Sequence, residues 1–159
     1  MFLWNILLAF AWVMLFGKFT LVNLMLGFIL GYLALLLMVS GGVVQQQAYV
    51  FKLPKVISFA GFFLWELTIA NLKIAHDVLT PTLYMVPGVI GIPLEARTDA
   101  EITLLANLIS LTPGTLSLDV SSDRKTLYIH AMYIENGDIE EQRHKIKDGF
   151  ERRLLEIMR

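Results

Sequence analysis

The chain has 159 residues, 56% of them hydrophobic and 17% charged, with a formal net charge of −1 and no cysteine. Soluble domains are about 45–50% apolar and about 25% charged, so this composition excludes disorder and argues against a single soluble domain. The lack of cysteine excludes disulfides, thiolate metal sites and thiol catalysis, and the near-zero net charge excludes a global basic field for nucleic acid.

Charge is unevenly spread. Up to Leu94 the only charged residues are Lys18, Lys52, Lys55, Glu66, Lys73 and Asp77, and all the others lie from Glu95 onward. The pattern predicts a membrane region over residues 1–80 and a water-soluble region over 81–159.

Residues 1–39 carry one charge, Lys18. A single helix of that length would run about 58 Å, roughly twice a bilayer's hydrocarbon core, so the stretch has to break. The polar interruption from Gly17 to Asn23 places the break and predicts a helical hairpin, 2–16 followed by 20–39. The second arm can span about 30 Å, while the first is short and needs tilt, local thinning or protein neighbours. A secretory signal peptide is not expected, because a basic n-region is missing and the apolar run continues past any cleavage point. Lys18 at the hairpin tip reads as an interface anchor.

Ser40-Gly41-Gly42 and Gln45-Gln46-Gln47 predict a polar loop, and a third apolar helix follows Pro54 over 56–79. It holds Glu66, Asn71, Lys73, His76 and Asp77; the spacing of Glu66, Lys73 and Asp77 by seven and four puts them on one face. Two readings stand: a third transmembrane helix with a polar stripe turned toward a partner, or an amphipathic helix at the membrane interface. Three spans are expected and two are the alternative. Glu66 is a proton-relay candidate by default; its structural alternative is an interhelical hydrogen bond or a pair with Lys73, and no second acid or histidine stands at relay spacing. Lys18, Glu66, Asn71 and Lys73 are the intramembrane polar candidates. Charge counting does not settle which side the soluble half occupies.

In the soluble half, Val86–Leu94 reads as a short strand whose prolines push it to a sheet edge or limit its pairing. Thr98-Asp99-Ala100-Glu101 is a capping box opening a helix to about Ser110. Thr112, placed before Pro113, is pushed out of the helical region, and Gly114 supplies a permissive turn. Leu116, Leu118 and Val120 alternate with polar residues as a half-buried strand, a turn follows at Ser121–Lys125, and Leu127–Ile134 is a second strand. Asn136-Gly137 ends it. Asp138 caps a last helix with Ile139, Ile146, Phe150, Leu154 and Ile157 as its buried stripe. The order strand, helix, strand, strand, helix is an α+β, ferredoxin-like pattern (β-α-β-β-α) without its last strand.

His76, His130 and His144 sit in three elements with no metal-ligand spacing, and a lone strand histidine such as His130 reads as structural. There is no phosphate loop and no nucleophile elbow. The bases of the last helix alternate with acids, as on a solvated face. No catalytic residue, cofactor or metal is expected, and nothing argues for an enzyme. Three membrane segments are too few for the repeated bundles of a secondary transporter, which points to a subunit.

The run Leu105–Thr115, with its Leu111-Thr112-Pro113-Gly114-Thr115 end, followed by a strand and by Leu127-Tyr128-Ile129-His130-Ala131, resembles the E subunit of the multi-subunit Na⁺/H⁺ antiporters of bacteria (the Mrp, Mnh or Pha type). Trp65-Glu66-Leu67, Ala70-Asn71-Leu72, Gly88-Val89-Ile90 and Pro93-Leu94 look like the same family in order; the N-terminal hairpin matches only in hydropathy. The resemblance implies an accessory, non-catalytic subunit of a hetero-oligomeric antiporter in the plasma membrane. That complex exchanges Na⁺, or in some members K⁺, for H⁺; larger subunits carry the ions, and the C-terminal domain is cytoplasmic. Leu111–Thr115 and His130 then become the assembly or structural motif, with the other subunits and the lipid bilayer as partners. The competing hypotheses are a free-standing membrane-anchored α+β binding or sensing module and a small transporter using Glu66.

Overall fold

A computed structural model describes residues 1–42, 48–81, 85–134 and 138–159 of the chain. They fall into two compact units, Met1–Val56 and Ile57–Arg159. The polar loop expected through Gln45–Gln47 and the turn at Asn136-Gly137 lie outside the described residues.

The first unit is a helical hairpin of α1 (Phe2–Phe16) and α2 (Leu21–Ser40). Gly17, at φ 63°, ends α1, and the Thr20 side chain caps α2 by accepting from the Asn23 N–H. The two helices touch at glycines: a Cβ on Gly27 would stand 2.9 Å from the Ala9 carbonyl oxygen, and one on Gly31 2.5 Å from Asn5 Oδ1. Gly27 and Gly31 form the small-xxx-small spacing that lets apolar helices pack backbone to backbone. Asn5, fully buried beside Gly31, donates from Nδ2 to the Tyr49 hydroxyl at 2.9 Å.

Tyr49 belongs to α3 (Ala48–Leu79), which starts upstream of the Val56 expected from sequence and runs through Pro54. Proline has no N–H, so Pro54 leaves the carbonyl of Val50 without its helical donor. The Tyr32 hydroxyl of α2 fills that gap, donating to the Val50 carbonyl at 2.8 Å. A neighbouring helix thereby re-satisfies the broken ladder, as apolar surroundings require. Leu21–Ser40 and Tyr49–Leu79 are each long and apolar enough to cross a membrane, while α1 is shorter.

The second unit contains most of α3 and a three-stranded sheet: β1 (Gly88–Pro93), β2 (Thr115–Val120) and β3 (Thr126–Ala131). The order is β1-β3-β2 with both pairings antiparallel. So β1 and β2 run parallel on either side of β3, and α4 (Asp99–Leu111) is the crossover between them. The two-way capping box of Thr98 and Glu101 opens α4. Ile90, Ile92, Leu127 and Ile129 on the inner face of the sheet pack with Leu105 and Ile109 of α4. A C-terminal helical segment closes the core: α5 (Ile139–His144), a π-helical stretch (Lys145–Glu151) and α6 (Arg152–Met158).

Two sequence expectations change here. The C-terminal stripe is not continuous: Ile139 is exposed and Glu151 is buried. The π-helical stretch, with its i→i+5 bonding, shifts the face that meets the core. Glu151 Oε1 accepts from the N–H groups of Glu95 (2.6 Å) and Ala96 (2.9 Å), so this buried acid holds the chain leaving β1. The second change is in β2, where Leu116 and Leu118 point outward, each half-exposed. Ser117 faces α4 instead, its Oγ donating to the Ala106 carbonyl (2.9 Å) and its N–H to Ser110 Oγ (3.0 Å). A register shift between Ser117 and Asp119 accompanies the reversal.

Candidate functional site

Residues of α3 within the second unit meet the sheet domain through one face. Phe62 and Phe63 set their rings edge-on to Phe150, with centroids 5.4 and 6.4 Å away. The Arg153 guanidinium lies 3.9 Å over the Phe62 ring. Further along the helix, buried Asp77 accepts a 2.6 Å hydrogen bond from the Tyr133 hydroxyl. That bond, helped by burial and by the charge of Asp77, pushes the Tyr133 phenol up to about 12. Lys73 places its ammonium 4.3 Å from the centre of the Tyr133 ring. The Tyr133 carbonyl accepts from Gln142 Nε2 at 2.7 Å, which ties the same residue to α5.

Between these contacts lies a cleft of about 480 Å³. Glu66 and Lys73 line it from α3, Pro113 and Gly114 from the loop between α4 and β2, and Thr115 from the start of β2. The C-terminal segment adds Lys145, Asp148, Arg152 and Arg153. Two sets of residues that sequence reading kept apart, the polar stripe and the Thr-Pro-Gly-Thr run, thus share one cavity. Its walls combine more cations than carboxylates with the rings of Phe62 and Phe150. Such a lining suits an amphiphilic or acidic protein or lipid segment. Among the described residues, no three His, Asp or Glu side chains converge where a metal ion could sit.

The loop is built by backbone demands. Thr112 leaves the helix with φ −82° and ψ 119°, and Gly114 takes φ +90°, where side chains are strained. Thr115 Oγ1 reaches the carbonyls of Ile109 (2.6 Å) and Thr112 (2.9 Å), and the Gly114 carbonyl accepts from Met132 N at 2.8 Å. A Cβ on Gly114 would stand 3.4 Å from the Tyr133 ring, so this turn and the Tyr133–Asp77 pair fit each other.

The other predicted residues lie elsewhere. Leu111 is exposed at the end of α4. His130 sits on the outer face of the sheet, with Val89 opposite it on β1 and Leu116 on β2. With Leu118 and Tyr128 they make an uncovered, largely apolar surface. The Lys18 carbonyl accepts from Asn23 Nδ2 at 2.9 Å in the hairpin turn. Asn71 is exposed on α3 and donates to its own helix at the Leu67 carbonyl, 2.7 Å away. Tyr133, Gln142 and Arg153 were not singled out from sequence, and no local pattern marks them; their roles come from contacts between distant elements.

The profile of the family described as "Na+/H+ ion antiporter subunit" matches residues 5–157. The chain belongs to this antiporter-subunit family. Among its relatives, the E subunit of the Na(+)/H(+) antiporter of Bacillus subtilis is 40% identical over 155 residues, covering 98% of this chain and 96% of the relative. That of Alkalihalophilus pseudofirmus is 37% identical over 153 residues, covering 96% and 94%. Two solved structures are similar. A chain of the Mrp complex from Dietzia sp. DQ12-45-1b aligns with TM-score 0.51 at 29% identity, over 65% of this chain and 96% of that one. A chain of an archaeal respiratory membrane complex, the membrane-bound sulfane sulfur reductase, aligns with TM-score 0.57 at 26% identity, over 98% and 96%. The antiporter-subunit match takes in the hairpin, the cleft and the outer sheet face alike.

Proposed function

We propose that this protein is an accessory, non-catalytic subunit of a hetero-oligomeric antiporter in a bacterial cell membrane, exchanging a monovalent cation, Na⁺ or K⁺, for H⁺. The observation that carries this reading is the family match over residues 5–157, which takes in both the hairpin and the sheet unit. The membrane region is 1–80, and 81–159 is a cytoplasmic domain. The β1-β3-β2 order with α4 as crossover supports reading that domain as ferredoxin-like, without a fourth strand.

The subunit's task is assembly. The uncovered sheet face around His130 offers an apolar contact area, and the Pro113–Thr115 loop holds the cleft in shape beside it. Glu66 shares its cleft with Lys73 and the cations of the C-terminal segment, which supports a structural role rather than an ion path. The test is purification of the tagged full chain from its own membranes in mild detergent, with antiport measured in membrane vesicles. Co-purification of several larger hydrophobic subunits, and loss of antiport when the chain is deleted, are expected. A monomer or homodimer with antiport intact would favour a free-standing binding module instead.

A further inference from the structure

We propose that residues 57–79 of α3 lie along the membrane surface rather than through it, with the face formed by Ile57, Leu64, Leu72 and Leu79 in contact with lipid. The proposal rests on the reading of this chain as a membrane protein and concerns a segment whose length and composition alone would allow a span.

The helix has two sharply different sides. Phe59, Phe62, Glu66, Ala70, Lys73 and Asp77 recur at three- and four-residue steps, which puts them on one face. That face meets the sheet domain or lines the cleft beside it. The opposite side carries no charge. There Ile57 and Leu64 are each 64% exposed, Leu72 61% and Leu79 84%. Its two polar residues turn their hydrogen bonds inward: Thr68 Oγ1 donates to the Leu64 carbonyl and Asn71 Nδ2 to the Leu67 carbonyl, both at 2.7 Å. The Thr68 hydroxyl and one Asn71 N–H are thereby satisfied within the helix, and the other amide N–H and Oδ1 of Asn71 can be met by the water and headgroups of an interface.

A span through lipid conflicts with the first side. From Phe59 to Asp77 the helix runs about 27 Å, nearly the whole hydrocarbon thickness. A crossing orientation would carry the packed domain, with Lys145, Asp148 and Arg152, into the hydrocarbon, where unscreened charges are expelled. Lying in the interface avoids this: the polar domain stays in water and the apolar face sinks roughly 5–10 Å to the headgroup boundary. Trp65, 64% exposed at the edge of the apolar face, is the residue type that settles at this depth.

The chain has no cysteine, so single cysteines at positions 57, 64, 72 and 79 can each carry a fluorophore without background. The side chains replaced are exposed, which leaves the packing intact. The full chain goes into vesicles of phosphatidylcholine and phosphatidylglycerol containing lipids with a quencher near the headgroup or deep in the acyl chain. A label at Ile29, exposed in the middle of α2, reports on the hairpin. At all four α3 positions the shallow quencher is expected to act more strongly than the deep one, with the reverse at Ile29. A crossing helix would spread the four labels over about 33 Å, and deep quenching at positions 64 or 72 would overturn the proposal. Deep quenching at Ile29 with none from either lipid at the α3 positions would overturn it too, assigning the face to protein or water. Absence of quenching at Ile29 would defeat the membrane reading of the hairpin and the proposal with it, a result separable from the other two.

Discussion

In the hairpin the closest contacts involve the least side chain, at Gly27 and Gly31, while Leu3, Trp4, Met14 and Leu15 point outward. In the sheet unit the order is reversed: Ile90, Ile92, Leu105, Leu127 and Ile129 are enclosed, while the charged side chains lie outside apart from Asp77, Glu101 and Glu151, which are buried on hydrogen bonds. The contrast follows from the solvent. Lipid is as apolar as leucine, so burying leucine there gains little, and helices associate where their backbones approach. In water the gain scales with apolar area removed, so the larger side chains take the centre.

The strongest way to sharpen this contrast is a cavity in the sheet unit. Ile129→Ala, at a position with no exposed surface, is expected to destabilise by about 2–5 kcal/mol, read as a lower thermal midpoint of the full chain in detergent. A loss below that range would mean the sheet core relaxes around the gap. In the hairpin the damaging change is the opposite one, filling space. Gly27→Leu would press on the Ala9 backbone and on Trp12 Cβ, neither of which can swing aside, for a cost of about 1–3 kcal/mol. Its readout is proteolysis between α1 and α2 in vesicles; an unchanged pattern would mean that the glycine contact does not hold the hairpin.

Sequence reading reached the elements whose signals are local. The Gly17 break, the Thr98–Glu101 box, the Asp138 cap and the β2–β3 hairpin all depend on residues within a few positions of one another. It missed what depends on distant partners. Hydropathy in β2 suggested an inward Leu116 and Leu118, but α4 offers Ser110 and the Ala106 carbonyl at that place, and Ser117 turns in to meet them. Pro54 signalled a helix start because the hydroxyl that rescues Val50 belongs to α2. The cleft was illegible for the same reason: Glu66 and Lys73 stand 47 and 40 residues before Pro113, and only the fold joins them.

The Tyr32–Val50 bond allows a smaller, cleaner test. Tyr32→Phe leaves a buried carbonyl without a donor and is expected to cost about 1–2 kcal/mol. Pro54→Ala restores an N–H four residues after Val50, so in that background the same Tyr32→Phe change should cost less. Equal losses in both backgrounds would show that Tyr32 acts by packing and not by replacing the missing donor.

The smallest effect at neutral pH is expected from Glu101→Gln, and its value lies in the acid limb. Arg159, with the backbone N–H groups of Arg97 and Thr98, lowers the Glu101 carboxyl from about 4.5 to about 2. The folded state thus holds the ionised form more tightly than the unfolded chain does. The stabilisation is fully present above about pH 4.5 and is lost as pH falls toward 2. Glutamine keeps an oxygen that can accept the Arg97 and Thr98 N–H groups, so the capping box survives while the charge goes. The midpoint of the variant should therefore lie slightly below that of the wild type at pH 7, and the two should converge as pH falls from 4.5 to 2. Because the group sits in the sheet unit, the convergence should appear in the melting of that unit and leave the proteolysis of the hairpin unchanged. Parallel curves across that window would place the acid sensitivity of the domain on another carboxylate.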